Sequence, residues 1–104
     1  MEGMTEMRVV KTSHDIGDAP KHALRIMNDD KFDTIHVHMH KGETLTKHHA
    51  KCDALIIVRN GKVEFEFDDE SVVLTNEDVL QMEPYEDHSV LALEEVDFLI
   101  VKIY

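Results

Sequence analysis

The chain alternates hydrophobic and polar positions with a period of two along short runs. Val63, Phe65 and Phe67 alternate with Lys62, Glu64 and Glu66. Successive strand residues point to opposite faces, so this run predicts a strand with one buried and one wet face. Leu55-Ile56-Ile57-Val58 and Phe98-Leu99-Ile100-Val101 are apolar on both faces. Strands are predicted at 8–10, 22–27, 32–40, 54–59, 62–67, 72–74, 78–82, 88–93 and 96–103. Turn signals separate them: Gly17-Asp18-Ala19-Pro20, Asn28-Asp29-Asp30-Lys31, Asn60-Gly61 and Asp68-Asp69. Asn60-Gly61 between two apolar runs predicts a tight hairpin, because a type I′ turn needs positive φ at both central positions. No segment of helix length has a 3.6-residue period. The pattern predicts an all-β sandwich or barrel.

Composition narrows this further. At 104 residues the chain has the length of one domain. Residues 1–7 read as a flexible tail and 8–104 as a single domain. With 22 acidic residues against 11 basic ones the net charge is −11. Such a chain repels phosphate backbones and anionic bilayers, so neither nucleic acid nor membrane is an expected partner. The acidic start Met1-Glu2-Gly3-Met4-Thr5-Glu6-Met7 lacks the apolar core of a secretory signal. Cys52 is the single cysteine, which rules out an internal disulfide and fits a cytoplasmic location. Two doubly apolar strands predict that a second subunit covers one sheet, as a homodimer. Eight histidines are the main chemical lead.

Gly42-Glu43-Thr44-Leu45-Thr46-Lys47-His48 reads G-x5-H, and Gly61 follows beyond a further strand. A second segment runs from Asn76-Glu77 through Pro84-Tyr85 to His88. Together they resemble the two motifs of the cupin superfamily, G-x5-H-x-H-x3,4-E-x6-G and G-x5-P-x-G-x2-H-x3-N. The strings His48-His49-Ala50-Lys51-Cys52-Asp53-Ala54 and Arg59-Asn60-Gly61-Lys62 resemble a subgroup of very small single-domain cupins with H-x4-D-A in the first motif. The resemblance implies a double-stranded β-helix, a jelly-roll barrel of two antiparallel sheets. It also implies a divalent metal held by three histidines and one glutamate. Here His48 and His88 keep two of those positions. Ala50 stands at the second histidine, Ala54 at the glutamate, and Tyr85 at the second glycine of the second motif.

His48 and His88 are therefore the candidate metal ligands for Fe, Mn, Ni, Cu or Zn, or else polar groups lining a ligand pocket. His49 points to the other face of a regular strand and becomes a third ligand only if the loop bulges there. Cys52 reads as a small buried hydrophobe. Met82 and Tyr85 are expected in the pocket wall. His36, His38 and His40 alternate with Ile35, Val37 and Met39. The apolar set should face the core, leaving the histidines solvated or interfacial; the opposite parity would bring His38 to His48 and His88. The favoured function is a cupin-type binding protein, holding a small molecule or a weakly bound divalent metal through His48 and His88. A metal-dependent oxygenase, isomerase or lyase with a rebuilt site is the alternative, and a ligand-free structural dimer the third.

Overall fold

The computed structural model describes residues 7–12 and 17–104. Nine strands carry the fold: β1 Lys21–Asn28, β2 Phe32–Met39, β3 Thr44–His48, β4 Asp53–Asn60, β5 Val63–Glu66, β6 Ser71–Leu74, β7 Val79–Met82, β8 His88–Ala92 and β9 Val96–Ile103. They form two sheets, in the orders β1-β2-β9-β4-β7 and β3-β8-β5-β6, with every pairing antiparallel. No helix occurs among the described residues, and so none long and apolar enough to cross a membrane. The all-β expectation of two antiparallel sheets holds.

The inner faces meet in a core built on Val37, Met39, Ile56, Val63, Phe65 and Phe98. Each such side chain contributes about 1.5–3 kcal/mol when fully buried. Phe65 of the smaller sheet meets Phe98 of the larger edge-on, with ring centroids 5.9 Å apart. β5 follows its pattern: Val63 and Phe65 are buried while Glu66 is exposed. β1 and β2 pair across the expected turn, where Asp29 Oδ1 accepts from the Lys31 amide at 3.0 Å.

Two expectations fail. Arg8-Val9-Val10 forms no strand; Val9 is 88% exposed, so the segment gains no buried face from pairing. Residues 1–6 of the expected tail lie outside the described residues. The Asn60-Gly61 hairpin is also absent. β4 lies in the five-stranded sheet and β5 in the four-stranded one, so the turn carries the chain from one sheet to the other. Gly61 takes φ 89°, whereas the one non-glycine residue with positive φ among those described is Tyr85, which excludes a type I′ turn at Asn60. A β-carbon on Gly61 would lie 2.0 Å from the Glu95 carbonyl oxygen. The glycine lets the corner close against the backbone entering β9.

The outer face of the larger sheet holds a further correction. His36 and His38 do lie opposite Ile35 and Val37, but each is only 3% exposed. They are not solvated. His36 Nε2 donates to Asp97 Oδ1 at 2.7 Å, and Arg59 donates to both oxygens of Asp97 at 2.9 Å. His38 Nε2 lies 2.8 Å from Glu95 Oε2, and this hydrogen bond holds the Glu95 carboxyl below its ordinary range. His40 keeps partial exposure. Polar groups below the surface thus find partners on neighbouring elements. One cross-strand row on this face is otherwise apolar: Leu24, His36, Leu99, Ile57 and Val79 stand side by side across all five strands.

Candidate ligand site in the barrel

A cavity of about 370 Å³ opens between the sheets. Its floor is apolar, with Val37, Ala54 and Met82 buried and Ile35 and Ile100 half-buried. Lys21, Ala23, Thr46, His48 and His49 are its exposed members, and His88 is buried at 5% exposure.

The pairing of β3 with β8 makes this site. His48 and His88 are direct register partners, beyond an irregularity after Leu45. Their ring centroids are 4.4 Å apart. Each ring is fixed by the carbonyl two residues before it: His48 Nδ1 lies 2.6 Å from the Thr46 oxygen, and His88 Nδ1 lies 3.0 Å from the Glu86 oxygen. A carbonyl only accepts, so Nδ1 carries the hydrogen in both rings and Nε2 of a neutral ring keeps its lone pair. Burial pushes the His88 imidazole below the ordinary histidine value, against the Glu86 carbonyl and with the help of His48. The buried member is therefore neutral at pH 7, and Nε2 can accept a hydrogen bond or ligate a metal. Phe65 stacks on His88 with centroids 5.8 Å apart.

The other predicted residues are distributed unevenly. Met82 lines the cavity. Tyr85 does not; it is 64% exposed and borders a separate surface hollow beside Phe67 and Glu86. Its φ of 66° is the left-handed conformation that favours glycine, which accounts for the glycine of the resembling motif at this position. Its amide donates to the Ala50 carbonyl at 2.8 Å. His49 reaches the cavity rim, but its Nδ1 lies 2.9 Å from Asp87 Oδ1. Cys52 is a half-buried free thiol. His38 stays on the far face of the sheet. Ala50 and Ala54 both line the cavity, so methyl groups stand where the resembling motif carries two ligands.

Sequence reasoning missed the two lysines of the lining, Lys21 and Lys102. Parity could have found Lys102, which follows the inward-facing Phe98 and Ile100 by even steps along β9.

The donor set fits a resident metal only in part. No group of three or more histidine, cysteine, aspartate or glutamate side chains placed to hold a metal occurs among the described residues. A catalytic zinc-type centre uses three protein ligands. Two imidazoles suffice for a weak site completed by water or by an incoming molecule, and a metal held there would supply Lewis acidity toward that molecule.

No family model matches the chain, and no curated protein matches it. Solved structures do. An RmlC-like cupin family protein with a double-stranded β-helix fold from Methanocaldococcus jannaschii superposes with a TM-score of 0.81 at 18% identity, covering 97% of this chain and 93% of that one. An RmlC-like cupin protein from Desulfovibrio desulfuricans gives 0.78 at 18% identity, with 97% of both chains covered. A cupin superfamily protein from Desulfitobacterium hafniense gives 0.79 at 18% identity, covering 86% of this chain and 82% of that one. Likeness at this identity establishes the fold: the chain folds as a cupin double-stranded β-helix.

Proposed function

We propose that this cupin-fold chain is a binding protein that holds a small molecule in its barrel, with His48 and His88 as the polar anchors. The observation that carries the reading is the paired imidazole site itself. Two rings on facing strands are oriented by backbone carbonyls, one is kept neutral by burial, and an apolar floor lies beside them. Ligand pockets commonly combine a mostly apolar lining of about 300–1,000 Å³ with a few converging polar groups. A fold of this kind hosts many activities, so the site and not the fold supports the reading.

A weakly bound divalent metal at the same two histidines is the second reading, favoured by the Nδ1–H bonds. Metal-ligating histidines typically donate the other ring N–H to a carbonyl or carboxylate, which fixes the tautomer. We further propose that the chain forms a homodimer through the outer face of the five-stranded sheet, where Leu24 and Val79 are 53% and 64% exposed.

Non-denaturing mass spectrometry of untagged protein, purified without chelator, tests the first reading. Wild type should carry a co-purifying organic adduct that Ala54→Phe, which fills the cavity, lacks. Bare protein in both, with no thermal shift from a metabolite library, would overturn it. Metal content measured on wild type and on the His48→Ala, His88→Ala double variant decides the second reading. A metal present in the first and lost in the second supports it.

A further inference from the structure

The lining of the cavity has a charge character opposite to that of the chain. Acidic residues outnumber basic ones two to one in the sequence. Yet the cavity is lined by Lys21, Lys102, His48, His49 and His88 and by no aspartate or glutamate. Resting on the proposed small-molecule role, we infer that the ligand of the barrel is a small organic carboxylate, with its anionic head against the lysines and its apolar body over Ile35, Val37 and Ile100.

Lys102 carries most of the argument. It sits in β9 between Asp33 of β2 and Ala54 of β4, on the inward parity of the strand. It is half-buried, and among the described residues no carboxylate lies within ion-pair distance of its ammonium group. Its register neighbour Asp33 is engaged through one oxygen only: the Tyr104 hydroxyl donates to Asp33 Oδ2 at 2.6 Å and Arg25 Nε stands 3.7 Å from the same oxygen, while Oδ1 is buried without a hydrogen-bond partner. A lysine can bury its stem along an apolar wall and keep its ammonium accessible at the cavity, where it is open to an anionic ligand. A carboxylate meets it with a charge-assisted hydrogen bond.

Lys21 supplies the second cation. Its Nζ donates to the Thr44 carbonyl at 2.6 Å, which bridges β1 of one sheet to β3 of the other at the cavity wall. An ammonium has three N–H donors, so two remain for a ligand. His88, whose Nδ1–H is turned to the Glu86 carbonyl at 3.0 Å, adds Nε2 at the cavity, suited to a hydroxyl or protonated group on the ligand body. The two functions divide the cavity: cations select the charge, and the imidazole pair selects a polar substituent.

Three probes of equal length test this: hexanoate, hexanamide and hexylammonium, each titrated into isotopically labelled wild-type protein and followed by amide and methyl NMR shifts. Hexanoate should move resonances of Val37, Ile100 and Lys102, and bind more tightly than the amide and the ammonium compound. Lys102→Met should weaken hexanoate about tenfold, the scale of one hydrogen bond to a charged group. Lys102→Arg, which restores a cation, should recover most of that loss; a folding defect from the methionine would not show this rescue. Equal binding of all three probes would overturn the carboxylate assignment while leaving a small-molecule barrel standing. If hexanoate moves no cavity resonance, the carboxylate assignment fails outright, and the adduct measurement alone then decides the binding role.

Discussion

Substituting Gly61 by alanine separates two costs that are usually confounded. Gly61 holds φ at +89°, a region where an L-residue loses roughly 1–2 kcal/mol. Gly42 holds φ at +90°, so alanine there meets the same backbone cost. The surroundings differ. Nothing lies within 4 Å of a β-carbon on Gly42, whereas on Gly61 it would sit 2.0 Å from the Glu95 carbonyl oxygen and 2.8 Å from the Val96 α-carbon. Those atoms are backbone at the start of β9, and the Leu93 amide ties the same turn to the Lys62 carbonyl at 3.0 Å. They cannot swing aside as a side chain would. Overpacking of this kind adds about 1–3 kcal/mol. Gly61→Ala should therefore cost about 2–5 kcal/mol and Gly42→Ala about 1–2 kcal/mol. Domains of this size have a total stability of about 5–15 kcal/mol. Urea unfolding followed by circular dichroism measures both variants. At roughly 1–3 kcal/mol per molar urea, the Gly61→Ala midpoint should fall on the order of 1 M below that of Gly42→Ala. Equal midpoints would refute the close approach at the corner between the sheets.

Three further outcomes follow from the geometry. Asp97→Ala removes the shared partner of His36 and Arg59 and should cost about 2–3 kcal/mol, below the full penalty of a broken buried pair because the Arg59 side chain is 32% exposed; thermal unfolding checks it. Burial holds the folded-state value of His88 below the unfolded one of about 6.5, so the unfolded chain binds more protons between the two. Stability from this group is full above about pH 6.5 and is lost as pH falls through the folded value; urea midpoints over a pH series should show a shallower acid loss in His88→Gln than in wild type. Ile57→Glu with Val79→Glu places two charges in the apolar row of the outer face and should leave a folded monomer in sedimentation, where the proposed interface requires wild type to sediment as a dimer; a wild-type monomer would refute that interface.

The strands were legible because burial on one face imposes a period of two, and β5 shows this plainly. β3 carried no such signal: Thr44, Thr46, Lys47 and His48 are exposed and Leu45 is only half-buried, so nothing alternates. Turn chemistry misled at Asn60-Gly61 for a related reason. Local preference marks where the chain bends, but strand pairing is decided by residues far away, here β9 and β7 against β4. The burial of His36 was hidden likewise. Its partner Asp97 lies 61 positions away in sequence and Arg59, which shares that carboxylate, lies 23 away; only the sheet order brings them to it. The meeting of His48 and His88 was legible through motif spacing. Lys21 and Lys102 carry no motif, and a lysine on a strand ordinarily reads as solvated; only strand parity pointed to Lys102.

The two alanines of the lining connect the proposed metal reading to the charge of the cavity. A glutamate at position 54 would serve two roles, as an anionic ligand to a metal and as a negative charge in the floor. Ala54 is 1% exposed, so a carboxylate in its place would be deeply desolvated and would need a cation beside it. With alanine there, and alanine again at position 50, the cations of the wall face no acidic side chain in the lining. A bound metal would add positive charge to that wall, and a bound carboxylate would offset it. The same substitution that removes a metal ligand therefore removes the chief electrostatic obstacle to an anion. On this argument the residues that depart from the resembling motif are not only losses; together with Lys21 and Lys102 they favour an anion in the proposed ligand site.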